Sequence, residues 1–242
     1  MVLRVKPISL LPVLIGLFFM CSCNGQTKNS SGDYVYKRGD PNGIGKWYMG
    51  REIAHVMGYQ GINWLERPER EKEENTSILL KNMSIKSTDV IADIGAGSGY
   101  HVFKMAPRAN QGTIYAVDIQ DEMLQALRLK KEARNIDNIK IIKGSEKSVN
   151  LPENSVDKVL MVDVYHEFNY PKEMIASIKK ALKPKGQLFL IEYRGEDRTV
   201  PIKELHKMTE AQAVKEMKAA GLSLKKNKDN LPWQHCMVFM KK

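Results

Sequence analysis

The segment DVIADIGAGSGYHVF, Asp89 to Phe103, runs from a short apolar strand straight into three glycines. A dinucleotide turn requires G-x-G-x-x-G. Here Gly95, Gly97 and Gly99 give G-x-G-x-G, and Tyr100 fills the place of the third dinucleotide glycine. No G-x-x-x-x-G-K-[ST] string occurs, which excludes a phosphate-cradling P-loop. Asp93, two residues ahead of the first glycine, would repel a pyrophosphate and attract an ammonium group. The turn therefore suits a ligand with a cationic amino-acid end.

Downstream, apolar strands alternate with helices. GTIYAVD is a second strand, followed by a helix carrying Met123, Leu124 and Leu127. NIKIIKG is a third, VDKVLMVDV a fourth and GQLFLIEY a fifth, with a helix through Met174, Ile175, Ile178 and Leu182 between the last two. This alternation predicts an α/β fold with a mostly parallel sheet covered on both faces. In the tail, Thr209 and Gln212 have capping-box spacing, Gly221 ends that helix, and LSLKK and HCMVFMKK predict two closing strands. Upstream, Met49, Ile53, Val56 and Met57 fall on one face of a predicted helix. NWLERPEREKEENTSILLKNM predicts a second helix with Pro68 in its first turn. Residues 34–87 are read as an N-terminal helical lid and 88–242 as the main domain.

Asp118 closes the second strand, where a carboxylate can accept both hydroxyls of a ribose. A ribose and an amino-acid end with no phosphate between them describe S-adenosylmethionine. The blocks DIGAGSG, AVDIQDEML, LPENSVDKVLMVDVYHEF and LKPKGQLFLIE together resemble class I S-adenosylmethionine-dependent methyltransferases over about residues 88–193. The likeness is greatest to the small-molecule branch typified by ubiquinone and menaquinone methyltransferases. The resemblance implies a Rossmann-like fold with a mostly parallel seven-stranded sheet. It also implies that Gly95, Gly97 and Gly99 line the donor's methionine side and that Asp93 holds its amino group. Asp118 would bind the ribose and Ile119 would pack on the adenine. Where the family usually has an adenine-binding Asp, this chain has Ser145 in GSE, leaving Ser145 or Glu146 for that task.

Methyl transfer needs alignment, exclusion of water and, for a protonated nucleophile, a base. DVYHEF follows the fourth strand at the carboxyl end of the sheet, so Asp163, Tyr165 and His166 are the catalytic candidates. His166 has two readings, a residue facing the acceptor or one packing the turn; Glu167 is read as a solvated neighbour. Trp64, Arg67 and Arg70 would suit a planar or anionic acceptor, but the favoured reading is an amphipathic helix whose Arg and Glu residues pair along its surface. His55 is read in the same way. No [DN]-P-P-[YFW] string follows the fourth strand, which argues against methylation of adenine or of glutamine amides. A small-molecule acceptor is expected.

The net charge of +10 is scattered as single lysines and KK pairs, without a basic track, so no nucleic-acid partner is expected. Arg4 and Lys6 precede a 13-residue apolar run, ISLLPVLIGLFFM, and then CSCNGQTKNSSG. A positive start, a short apolar core and small polar residues form an export signal. CSC resembles the lipobox of bacterial lipoproteins, with residues 1–22 as signal peptide, Cys23 as the lipid-bearing residue and 23–33 as tether. The membrane is thus an expected partner, with the domain on the periplasmic side of the cell envelope; an uncleaved anchor with a cytoplasmic domain is the alternative. Export motivates a second functional reading, a non-catalytic binding module that keeps the fold. After cleavage only Cys23, the acylated one, and Cys236 remain, so neither a disulfide framework nor a Cys-rich metal site is available, and no metal is expected.

Overall fold

The computed structural model describes Val2 and residues 29–241. Apart from Val2, the export signal, together with Cys23 and most of the tether, lies outside the described residues. At the amino side, β1 (Asn29–Ser31), β2 (Tyr34–Tyr36), β3 (Gly43–Tyr48) and β4 (Arg51–Ala54) form a four-stranded antiparallel sheet. This overturns the helix expected from Met49 to Met57. Met49 and Gly50 both have positive φ, 48° and 102°, and make the two-residue turn that joins β3 to β4. The spacing that reads as one face of a helix is broken by that turn.

The expected second helix is three short ones: α1 (Ile62–Leu65), α2 (Arg70–Glu73) and α3 (Thr76–Met83). Pro68 disfavours helical backbone at Arg67, and Asn75, at φ 53°, interrupts the chain again while its side chain accepts from the Ile78 N–H to cap α3.

The main domain runs β5 (Val90–Ile94), α4 (Val102–Met105), β6 (Thr113–Asp118), α5 (Asp121–Ala133), β7 (Ile139–Lys143), β8 (Val156–Val162), α6 (Pro171–Ala181) and β9 (Leu182–Arg194). It closes with β10 (Lys207–Met208), α7 (Glu210–Ala219), β11 (Leu222–Asn227) and β12 (Gln234–Lys241). Its sheet has the order β11-β12-β9-β8-β5-β6-β7, and β10 adds a short parallel pairing to the end of β9. Strands β5 to β9 are mutually parallel, whereas β12 is antiparallel to both neighbours. The expected Rossmann-like α/β sheet is therefore present, with seven strands in the main path.

Both faces are packed. Leu79, Leu80, Met105, Leu124 and Leu127 bring α3, α4 and α5 onto one face. Met174, Ile175, Ile178 and Met217 bring α6 and α7 onto the other. Full burial of each such side chain contributes about 1.5–3 kcal/mol. The predicted cap holds: Thr209 Oγ1 accepts from the Gln212 N–H at 3.2 Å to start α7. The chain leaves β5 toward β6 and β7, then crosses to β8 and β9 on the other side of β5. That reversal opens a crevice over the carboxyl ends of β5 and β8, where open α/β sheets bind ligands.

The N-terminal sheet docks beside this crevice. Arg51 Nε pairs with buried Glu216 of α7 at 2.7 Å, and Lys46 Nζ donates to the Asn169 carbonyl at 2.6 Å while lying 3.4 Å from the Tyr170 ring centre.

Candidate active site

The glycine turn is fastened at both ends. Gly95 and Ala96 N–H donate to the Val117 carbonyl at 2.9 and 3.0 Å, and Gly97 N–H donates to Asp118 Oδ2 at 2.8 Å. The second Asp118 oxygen accepts from Gln120 N–H at 2.9 Å, so the carboxylate is aimed before any ligand arrives. Burial lifts Asp118 above the usual carboxylate range, with the Gln120 and Gly97 N–H groups opposing. Gly97 has φ 52°, and a Cβ there would come within 2.7 Å of Leu65 Cδ1. At Gly99, φ 81°, a Cβ would meet Leu127 and Phe103, both at 2.6 Å. The last glycine thus seats α4 and α5 against the turn and does not line the crevice.

Gly95, Gly97, Asp118, Ile119, Ser145 and Glu146 all line one crevice, as expected. Ser145 Oγ accepts from the Ser148 N–H at 3.1 Å, and Glu146 accepts from Asn169 Nδ2 at 2.9 Å. Asp93 lies behind the turn, almost fully buried, with Oδ2 lacking any partner. Burial pushes its carboxyl up to about 7, Arg70 opposing and Asp118 adding. An orphaned buried carboxylate oxygen beside a cradle that a Cβ would fill is a fit for a cationic amino group and its adjoining ribose.

The catalytic candidates part company. The turn Tyr165–Glu167 is a 3-10 turn, so successive side chains point about a third of a revolution apart. Tyr165 enters the core, donating its hydroxyl to Glu216 Oε2 at 2.6 Å, and faces neither cleft. His166 lines a second cleft, with Nδ1 2.6 Å from Glu192 Oε2 and Nε2 3.0 Å from His206 Nδ1. Burial opposes its protonation, but Glu192 and Glu167 outweigh that and raise it to about 10. Asp163, at φ 50°, borders both clefts. Its Oδ2 accepts from Gln234 Nε2 at 2.6 Å, its Oδ1 has no partner, and burial with Glu74 and Glu192 drives its proton affinity well up.

Glu167 is no solvated neighbour. It is buried, accepts from the Met57 N–H at 3.1 Å and is pulled down to about 2: burial resists ionisation, but the His166 and His206 rings overcome it. Sequence reasoning also missed Glu192 and His206. Glu192 is signalled by an acid inside an apolar strand; His206 carries no local signal, because only the fold brings it 40 residues back to His166. Met57 and Leu65, from the N-terminal region, also line the first crevice. Arg67 and Arg70 are occupied by Glu73 and Glu74, at 2.6 to 2.8 Å, while Arg67 stacks 3.6 Å from the centre of half-exposed Trp64. The Arg–Glu pairing expected along this segment is present, though only Arg70–Glu74 has helical i,i+4 spacing. His55 is exposed just after β4.

Residues 92–190 match a family model described as a methyltransferase domain. Over 144 residues the chain is 29% identical to a Bacillus subtilis (strain 168) protein named uncharacterized methyltransferase YdaC, covering 59% of this chain and 76% of that one. It is 28% identical to the ubiquinone/menaquinone biosynthesis C-methyltransferase UbiE of Wigglesworthia glossinidia brevipalpis and spans 48% of each. The crystal structure of an S-adenosylmethionine-dependent methyltransferase from Aquifex aeolicus superposes with a TM-score of 0.73, at 22% identity, over 77% of this chain and all of that one. With its glycine turn, the acid that ends β6 and its matching domain, the chain is an S-adenosylmethionine-dependent methyltransferase of Rossmann-like α/β fold, with S-adenosylmethionine as its cofactor.

Proposed function

We propose that the enzyme methylates a small molecule held in the second cleft, next to the donor crevice. The observation that carries this is a shared wall: Met57, Leu65, Val162, Asp163 and Glu167 line both clefts. Two ligands lying on either side of that wall would meet end to end, as in-line displacement requires. When bound, S-adenosylmethionine supplies an electrophilic methyl group on a sulfonium. The chain's own residues do the rest. Asp118 accepts the ribose hydroxyls, Asp93 takes the amino group directly or through water, and Ile119 packs on the adenine beside Ser145 and Glu146. Met57 and Leu65 exclude water. The acceptor atom gains the methyl carbon, the sulfur keeps the electron pair of the broken bond, and a proton leaves the acceptor. His166 already holds a proton up to about 10, so the acceptor's proton passes to solvent while His166 and Asp163, which line the second cleft, orient the acceptor. The arginines of the second cleft are already neutralised by glutamates, so the half-exposed Trp64 favours a planar acceptor over an anionic one.

Turnover is favoured over a binding module by the likeness to proteins named methyltransferases. The test is incubation of the protein with methyl-labelled donor and metabolite extract. Label should move to an organic-extractable small molecule and the transfer should fall with His166→Ala. Label appearing only in protein or nucleic acid would overturn the reading.

The leader supports a further proposal: lipid on Cys23 tethers the domain to the periplasmic side of the envelope. Two or more acyl chains at one cysteine give stable anchoring. Mass spectrometry of the membrane fraction should show an acylated Cys23 at the amino terminus. An intact Met1 with unmodified Cys23 would instead mean an uncleaved anchor.

A further inference from the structure

The floor of the second cleft carries a cluster that methyl transfer itself does not require. His166 Nε2, His206 Nδ1 and Glu167 Oε1 face one another at 3.0, 3.5 and 3.7 Å. Bonds of about 2.0–2.2 Å from a first-row ion to nitrogen and oxygen place neighbouring ligand atoms roughly 3.0–3.6 Å apart. Two of the three separations fall within that range and the third, His166 Nε2 to Glu167 Oε1, lies 0.1 Å beyond it, so a bound ion needs only a slight adjustment. We propose that His166, His206 and Glu167 bind one divalent metal ion of the zinc class.

Three further observations support the choice. The other nitrogen of His166 is held by Glu192 at 2.6 Å, and Glu192 is fully buried and itself fixed by the Tyr165 N–H at 2.8 Å. A carboxylate behind a histidine sets the tautomer and aims the free nitrogen, as it does behind metal-bound histidines. Two imidazoles with one carboxylate select a borderline ion over calcium or magnesium, which prefer oxygen throughout. The shortage of cysteines removes a thiolate site from consideration, not one of imidazole and carboxylate. Finally, all three residues line the cleft, and three protein ligands leave a coordination position for a small molecule. That position could hold the acceptor's heteroatom, lowering its proton affinity beside the donor. This role rests on the acceptor reading above, whereas the metal site does not.

The test uses the full chain without an affinity tag, stripped with a chelator, and needs neither donor nor acceptor. Zn2+ titrated by calorimetry against a competing chelator should bind at one ion per chain, and Co2+ should give visible absorption bands of a nitrogen- and oxygen-ligated site. His206→Ala, at a partly exposed position, and the near-isosteric Glu167→Gln should each weaken binding at least about 100-fold with unchanged circular dichroism. Glu192→Gln, acting only through His166, should weaken it about 10- to 100-fold. No stoichiometric uptake by the folded wild type would overturn the proposal. Uptake that both ligand variants leave unchanged would do so as well. Methyl transfer that persists when His206→Ala or Glu167→Gln abolishes metal binding would count against the acceptor role alone.

Discussion

At the scale of single residues, the site is built from charges kept in unfavourable surroundings. Asp93 rises to about 7 because burial penalises its ionised form. A carboxyl raised in the folded state stabilises the fold at low pH and loses that contribution as pH climbs from about 4 through about 7. Asp93→Asn should therefore stabilise the donor-free protein at pH 8, by about 1–3 kcal/mol in urea unfolding. The same substitution should remove most donor affinity. In the wild type, affinity for the cationic donor should increase from pH 6 to pH 8, which calorimetry at several pH values can follow. His166 runs the other way. Its proton is held to about 10, so its contribution is full below about 6.5 and is lost as pH rises through 10. His166→Ala strands buried Glu192 and should cost about 3–5 kcal/mol. Turnover should fall about 100-fold or more while donor affinity holds; a parallel loss of donor binding would assign it to packing alone. Asp118→Ala removes the proposed ribose acceptor and frees the Gly97 N–H, and should weaken donor binding by about 1–3 kcal/mol in calorimetry.

At the scale of elements, legibility followed locality. The strands β5 to β9 and the turn after β5 are readable because each is a contiguous apolar run closed by its own glycine or acid. Gly95, Gly97, Asp118, Ile119, Ser145 and Glu146 accordingly meet at one crevice, whereas Asp93 lies behind the turn and Gly99 serves packing. The N-terminal region was misread because Met49 to Met57 match a helical period by coincidence, while the information that decides is the positive φ at Met49 and Gly50. The acceptor side was half legible, because a 3-10 turn sends Tyr165, His166 and Glu167 to three different places and His206 and Glu192 join only through tertiary structure. The small sheet is held by Arg51 on Glu216, which also accepts from Tyr165 and Gln212. Arg51→Ala leaves that buried carboxylate without its cation and should cost about 3–5 kcal/mol in urea unfolding, with the main domain's circular dichroism retained.

At the scale of the whole molecule, the crevice proposed for the donor is completed by pieces far apart in the chain: residues 57 and 65 on one side, β5, β6 and β8 on the other. Ligand binding should therefore stabilise the fold globally. S-adenosylhomocysteine at a hundred times its Kd should add about 2.7 kcal/mol, roughly 5–10 °C in Tm, and protect the 55–70 segment from proteolysis. The strand order has another consequence, for assembly. Strand β12 sits between β9 and β11, yet some 40 residues separate its start from the end of β9. Until β12 folds back, Leu188, Phe189, Leu190 and Ile191 present an apolar edge with its hydrogen-bonding groups unpaired on that side. Such an edge is a template for a neighbouring chain. Refolding from urea should accordingly lose yield steeply as protein concentration rises, and a charged substitution at solvent-facing Lys226 should not relieve it, because the vulnerable surface disappears once β12 is in place.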